Sequence, residues 1–133
     1  MENKIIRVKD IMRTHFGRID RRETVRTALS MMQDSNARAL IVNKRDEDDE
    51  LGIVVLADIA KLVLARDKSP DRVNVYEIMS KPVIQVTPNM DIRYCARLFD
   101  RFGLERAPVV ENSEILGIVS YHVLVLRGLM QFL

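Results

Sequence analysis

The sequence has no tryptophan, one cysteine, four prolines, five glycines and few aromatics. Without tryptophan, any core must be built from Val, Ile, Leu and Met. A single cysteine excludes an internal disulfide, and with it the small secreted scaffolds that depend on one. Cys95 also falls on an apolar helical face, so it reads as core rather than nucleophile. The opening "MENKIIRVKD" has no apolar h-region, and no stretch is long and apolar enough to span a bilayer. A cytoplasmic, reducing location is the expectation, with no membrane contact.

Excess charge is lacking too. Net charge is +2, too little to argue for a nucleic-acid binder. Arg13, Arg18, Arg21, Arg22 and Arg26 lie close in sequence, opposed by Asp20 and Glu23, and read as a solvated surface. His15 and His122 are far apart and show no metal-ligand spacing. Neither a nucleophile–base motif nor a glycine-rich phosphate loop appears, so the chain does not read as an enzyme. What remains is a 133-residue chain, 47% apolar and 30% charged, of ordinary globular composition.

What the chain does have is a repeat. "VKDIM" (Val8–Met12) recurs as "VYEIM" (Val75–Met79), 67 positions on. Val25, Ala28, Leu29 and Met32 form an i, i+3, i+4, i+7 stripe that predicts an amphipathic helix; Ile92, Cys95, Ala96 and Phe99 repeat it. "RALIV" (Arg38–Val42) answers "RAPVV" (Arg106–Val110), and "LGIV" at Leu51–Val54 recurs at Leu116–Val119. The separation is 67, then 68, then 65; a three-residue difference between the loops Asn43–Glu50 and Glu111–Ile115 accounts for the change from 68 to 65. Both loops read as hairpin connections, and the acidic run Asp46–Glu50 as a solvated tip.

Each repeat therefore reads as strand, helix, strand, strand, helix. The expected elements of repeat 1 are Gly17–Asp20, Thr24–Ser35, Ala39–Val42, Leu51–Val55 and Ala57–Arg66. Those of repeat 2 are Ile84–Val86, Asp91–Phe102, Arg106–Glu111, Ile115–Val119 and Tyr121–Met130. Thr24 and Asp91 suit helix N-caps. Pro108 lacks a donor N–H, so its strand should start there or lie at an edge. Repeat 1 is assigned to residues 1–66, a polar linker to 67–74 and repeat 2 to 75–133. The fold class is α+β. Two such repeats can close on each other sheet against sheet with pseudo-twofold symmetry. The last stretch, "VLVLRGLMQFL" (Val123–Leu133), is apolar around most of its circumference and predicts a subunit interface.

This pattern resembles the cystathionine β-synthase (CBS) domain, which occurs in tandem pairs called Bateman modules. The resemblance rests on the β-α-β-β-α repeat, on "DIM" (Asp10–Met12) and "EIM" (Glu77–Met79), and on the "RAPVV" and "LGIV" strands. It implies a regulatory rather than catalytic module that binds AMP, ADP, ATP or S-adenosylmethionine in clefts between the repeats, with no obligatory cofactor. It also implies homodimers formed through the helices and a regulated partner protein that the sequence does not name. The family's nucleotide signature resembles Gly, apolar, any, Ser/Thr, any, any, Asp. "GIVVLAD" (Gly52–Asp58) keeps the ribose-binding Asp as Asp58 but has Val55 for the hydroxyl. "GIVSYHV" (Gly117–Val123) keeps the hydroxyl as Ser120 but has Val123 for the Asp. Arg38 and Arg106, just before matching strands, are candidates for phosphate contact, and Thr87 and His122 are weaker nucleotide-binding candidates. The alternative reading is a ligand-independent dimerisation or docking module in which both half-signatures are relics.

Overall fold

The computed structural model describes residues 4–81 and 83–133. In chain order its elements are α1 (Val8–Ile11), β1 (Arg18–Ile19), α2 (Val25–Ser35), β2 (Ala39–Val42), β3 (Gly52–Val55) and α3 (Leu56–Ile59). Then come a 3-10 turn Val75–Glu77, α4 (Ile92–Phe102), β4 (Arg106–Glu111), β5 (Glu114–Ser120) and α5 (Tyr121–Val123). The helix of α3 continues with π-helical pitch over Ala60–Leu64. That of α5 continues so over Leu124–Gly128, then as 3-10 through Leu129–Phe132. The α+β class expected from sequence is the class observed.

Both long helices start and stop where their sequences say they should. The Thr24 hydroxyl accepts from the Thr27 N–H, and the Asp91 carboxylate from the Arg93 N–H. At the C-termini Asn36 and Gly103 adopt the left-handed conformation that ends helices without a clash. The expected stripe is the buried face: Val25, Ala28 and Met32 in α2, Ile92, Cys95 and Phe99 in α4.

The chain forms two compact units that do not coincide with the sequence repeats. The first is Phe16–Val83; the second joins the lead segment, up to His15, to Ile84–Leu133. Within the first unit β1 runs parallel to β2, and β2 antiparallel to β3. The turn Val75–Glu77, which opens repeat 2, packs here: Val75 N–H donates to the Glu23 carbonyl, and Ser80 and Ile53 exchange two backbone bonds of 2.8 and 3.0 Å. The second unit mirrors this with α1, which opens repeat 1. Val8 N–H donates to the Met90 carbonyl, and Arg13 and Ile118 exchange two bonds of 2.9 Å. Each unit therefore borrows the lead segment of the other repeat. Ile6, Val8 and Ile11 are buried in the second unit's core around Phe99, while Val73, Val75 and Ile78 are buried in the first.

This exchange explains the glycine of each "LGIV". A Cβ on Gly117 would lie 2.5 Å from the Arg13 carbonyl oxygen and 3.0 Å from the Met12 sulfur. One on Gly52 would lie 3.0 Å from the Met79 sulfur. The lead segment passes directly over the strand, and a side chain would push it off.

Three sequence expectations change. First, the matching of "RALIV" to "RAPVV" is off by one. Ile41 lies opposite Ile53, and Pro108, not Val109, opposite the matching Ile118. The separation therefore stays at 67 up to the hairpin and then drops to 65, with a bulge at Val109/Val110 absorbing the shorter loop. Arg38 corresponds to Glu105, whose carbonyls accept from Leu56 and Tyr121 respectively. Arg106 corresponds to Ala39. A one-residue slip in a strand turns a side chain to the opposite face, so the two arginines are not equivalent.

Second, the strand expected at Ile84–Val86 is reduced to one parallel bridge, Val86 to Val109. Its counterpart β1 is held by N–H groups of Ile41 and Asn43 donating to Gly17 and Ile19. Pro108 stands in the place of Ile41 and has no N–H to give, so among the described residues only the Val110-to-Val86 bond survives beside the one Pro108 accepts. β4 begins two residues before Pro108 and lies at the edge of its two-stranded sheet, the second of the two outcomes expected for that proline.

Third, the acidic loop is not a uniformly solvated tip. The Asp49 side chain is 4% exposed, paired with Arg45 at 3.4 Å and, closely, with Lys81. The Lys81 ammonium and the backbone N–H groups of Arg45 and Glu50 hold its carboxyl well below the ordinary range.

Candidate functional site

The turn from the third strand into the last helix occurs once in each unit. In the first unit β3 ends at Val55, the N-cap of α3, whose side chain makes no cap hydrogen bond. The N–H groups of a first helical turn have no intrahelical acceptor, and valine supplies none. Asp58 sits in that turn, half-buried. Among the described residues it has no hydrogen-bond or ion-pair partner. A carboxylate so placed is favoured by the helix dipole and keeps its oxygens available. The Arg38 carbonyl accepts from Leu56 N–H at 2.9 Å, which places exposed Arg38 at the same end of the sheet as Asp58.

In the second unit β5 ends at Ser120, whose hydroxyl caps α5 by accepting from Val123 N–H at 3.3 Å. Val123, at the position matching Asp58, is 0% exposed and belongs to the core. An acid there would bury a charge without a partner, so packing accounts for its absence. Arg106, half-buried, lies across the strands from Ser120, and its guanidinium comes within 3.9 Å of the Glu105 carboxylate. His122 is exposed in the first turn of α5. Ser120, Arg106 and His122 are thus gathered at one end of the second unit's sheet, without a carboxylate matching Asp58. Thr87 is not with them. It follows Val86, which pairs beside Val109, several residues along β4 from Arg106, or roughly 10 Å at strand rise.

The arginines singled out together by sequence have separate engagements. Arg22 pairs with Asp20 through two contacts of 3.1 Å, holding that carboxyl at about 2. Arg26 pairs bidentately with Asp71, one contact being 2.8 Å. Arg18 and Arg21 stack on Phe16 and Tyr76. Cys95 is buried, and that burial pushes its thiol up to about 11, the opposite of an activated nucleophile. No group of three or more His, Cys, Asp or Glu side chains among the described residues could hold a metal, and no described helix is long and apolar enough to cross a membrane.

One feature had no motif to announce it. A groove of about 740 Å3 runs along the outer face of α4, lined by Arg7, Tyr94, Arg97, Leu98, Arg101 and Phe102 among others, with Thr87 at its margin. The sequence signal that could have found it is a comparison of α4 with α2 position by position.

The family model for the CBS domain matches residues 8–65 and 75–126. An uncharacterised protein of Methanopyrus kandleri is 34% identical over 72% of this chain, which covers 48% of that protein. The chain thus spans about half the length of that relative. A hexameric CBS-CP12 protein from bloom-forming cyanobacteria superposes with a TM-score of 0.91 at 35% identity, over 93% of this chain and 72% of that one. The CBS domain pair of protein MJ0100, in complex with 5′-methylthioadenosine and S-adenosyl-L-methionine, superposes with a TM-score of 0.82 at 25% identity, over 98% of this chain and all of that one.

Proposed function

The chain belongs to the CBS domain family, and from that premise we propose that it is a non-catalytic regulatory module that binds an adenosine-containing ligand through Asp58. The observation that carries this reading is a half-buried carboxylate with no protein partner among the described residues, in a first helical turn whose N-cap is a valine. A ribose presents neighbouring 2′ and 3′ hydroxyls, and one carboxylate can accept from both in charge-assisted bonds. Arg38, at the same sheet end, suits a phosphate. Ser120, Arg106 and His122 offer a hydroxyl and basic groups but no ribose anchor, so we assign the matching region of the second unit a secondary role, and Thr87 a peripheral one. A related pair crystallised with two adenosine derivatives supports this ligand class. Calorimetric titration with AMP, ADP, ATP and S-adenosylmethionine is expected to give saturable heat with at least one; heat from none of them contradicts the reading.

The same module self-associates, in our reading, through its last helix. Along α5 and its continuation Leu126 and Met130 are 55% and 54% exposed, beside exposed Val125 and Leu129. A second copy would remove this apolar stripe from water, and the hexameric relative is consistent with self-association. The double substitution Leu126→Arg with Met130→Arg should convert the oligomer to monomer by light scattering, without loss of cooperative melting. An unchanged mass would place the interface elsewhere.

A further inference from the structure

We propose that the outer face of α4 is a docking surface for an acidic, amphipathic segment of a partner protein. Tyr94 and Phe102 on this face are 64% and 53% exposed. Each carries a guanidinium over its ring: Arg97 lies 5.3 Å from the Tyr94 centroid and Arg101 5.8 Å from that of Phe102. Arg7 completes the groove, donating to the Asn89 carbonyl at 2.7 Å. The Arg7 backbone N–H donates to the Asp10 carboxylate at 2.9 Å, but among the described residues none of the three guanidinium groups is paired with a carboxylate. The one carboxylate among the described lining residues, Asp91, is occupied by the Arg93 N–H at 2.8 Å and the Arg93 guanidinium at 3.6 Å. Among the described residues the face is therefore apolar, aromatic and cationic without compensation, the composition enriched at protein interfaces.

The repeat supplies an internal control. α2 is the same helix in the other unit, with matching caps and matching buried stripe. At the positions of Tyr94, Arg97, Arg101 and Phe102 it carries Thr27, Ser30, Asp34 and Ser35. The fold thus accepts an ordinary polar face here, and α4 departs from it at four positions, two of which, Tyr94 and Phe102, expose large apolar side chains. Tyr94, Leu98 and Phe102 form a ridge about 12 Å long at helical rise, suited to an elongated segment rather than one compact ligand. A symmetric contact with a second copy would set this cationic face against itself.

The probe is a synthetic amphipathic helix of Glu, Leu and Phe, with a Lys-for-Glu version as control. The acidic peptide should shift backbone amide NMR signals from Tyr94 through Phe102, and the basic peptide should not. Replacing the face by that of α2 (Tyr94→Thr, Arg97→Ser, Arg101→Asp, Phe102→Ser) should weaken binding roughly tenfold or more while the protein still melts cooperatively. Should that variant not fold, Arg97→Glu with Arg101→Glu carries the same expectation. Equal binding of both peptides, shifts mapping elsewhere, or undiminished affinity in the folded variant would overturn the proposal. So would a variant that loses oligomeric mass, since the face would then meet a second copy.

Discussion

Gly117→Ala is expected to cost about 3 kcal/mol or more in urea unfolding, far beyond an ordinary surface change. The added Cβ meets a backbone oxygen, that of Arg13, at 2.5 Å, with the Met12 sulfur 3.0 Å away. A flexible side-chain tip could swing aside; this carbonyl cannot, because it accepts from Ile118 N–H at 2.9 Å in a reciprocal pair. Relief of the clash would break both bonds and lift the lead segment from the core. Gly103→Ala is the matched control. Gly103 has φ +64°, and a Cβ placed there would have no atom within 4 Å, so only backbone strain of about 1 kcal/mol opposes it. A Gly117 variant no less stable than the Gly103 variant would show that the lead segment does not pass as described.

Deleting the lead segment up to His15 should unfold the second unit outright. Ile6, Val8 and Ile11 are 2%, 0% and 2% exposed. Burying three such side chains contributes about 5–9 kcal/mol, comparable with the whole stability of a small domain. Their loss would also leave the Ile118 carbonyl and the Met90 carbonyl without their donors, Arg13 and Val8. The first unit keeps its own borrowed segment, Val73–Ser80, and should stay folded. Amide NMR of the truncated protein should therefore lose the dispersed signals of Ile84–Leu133 while retaining those of Phe16–Val83. Retention of both sets would contradict the exchange.

Most elements could be read because local signals agreed with the packing. The stripes Val25–Met32 and Ile92–Phe99, with Thr24 and Asp91 before them, specify the helices whichever neighbours they meet. The exchange of lead segments could not be read. "VKDIM" and "VYEIM" are nearly interchangeable apolar turns, and nothing local says which strand each will cover. The slip between "RALIV" and "RAPVV" arose from letter identity overriding register. Pro108 and Val109 are both apolar, and only the pairing with Ile118 decides which stands for Ile41. At the site, the unequal halves of "GIVVLAD" and "GIVSYHV" were visible as letters. What the sequence could not show is that Val123 is core; a serine just before a helix already suits an N-cap, and the Ser120 hydroxyl is one. The difference between the halves follows from packing in one unit and, in the other, from an acid unpartnered among the described residues.

A ribose anchor at Asp58 is tested most directly by comparing ligand affinity of the native protein with that of Asp58→Ala. The side chain is half-buried and unpartnered among the described residues, so its removal should leave the melting curve nearly unchanged. A lost charge-assisted contact is worth about 1.5–3 kcal/mol. Calorimetry with the tightest of AMP, ADP, ATP and S-adenosylmethionine should therefore show a roughly tenfold to hundredfold weaker dissociation constant in the variant. Equal affinity in the two proteins would contradict a ribose anchor at this residue.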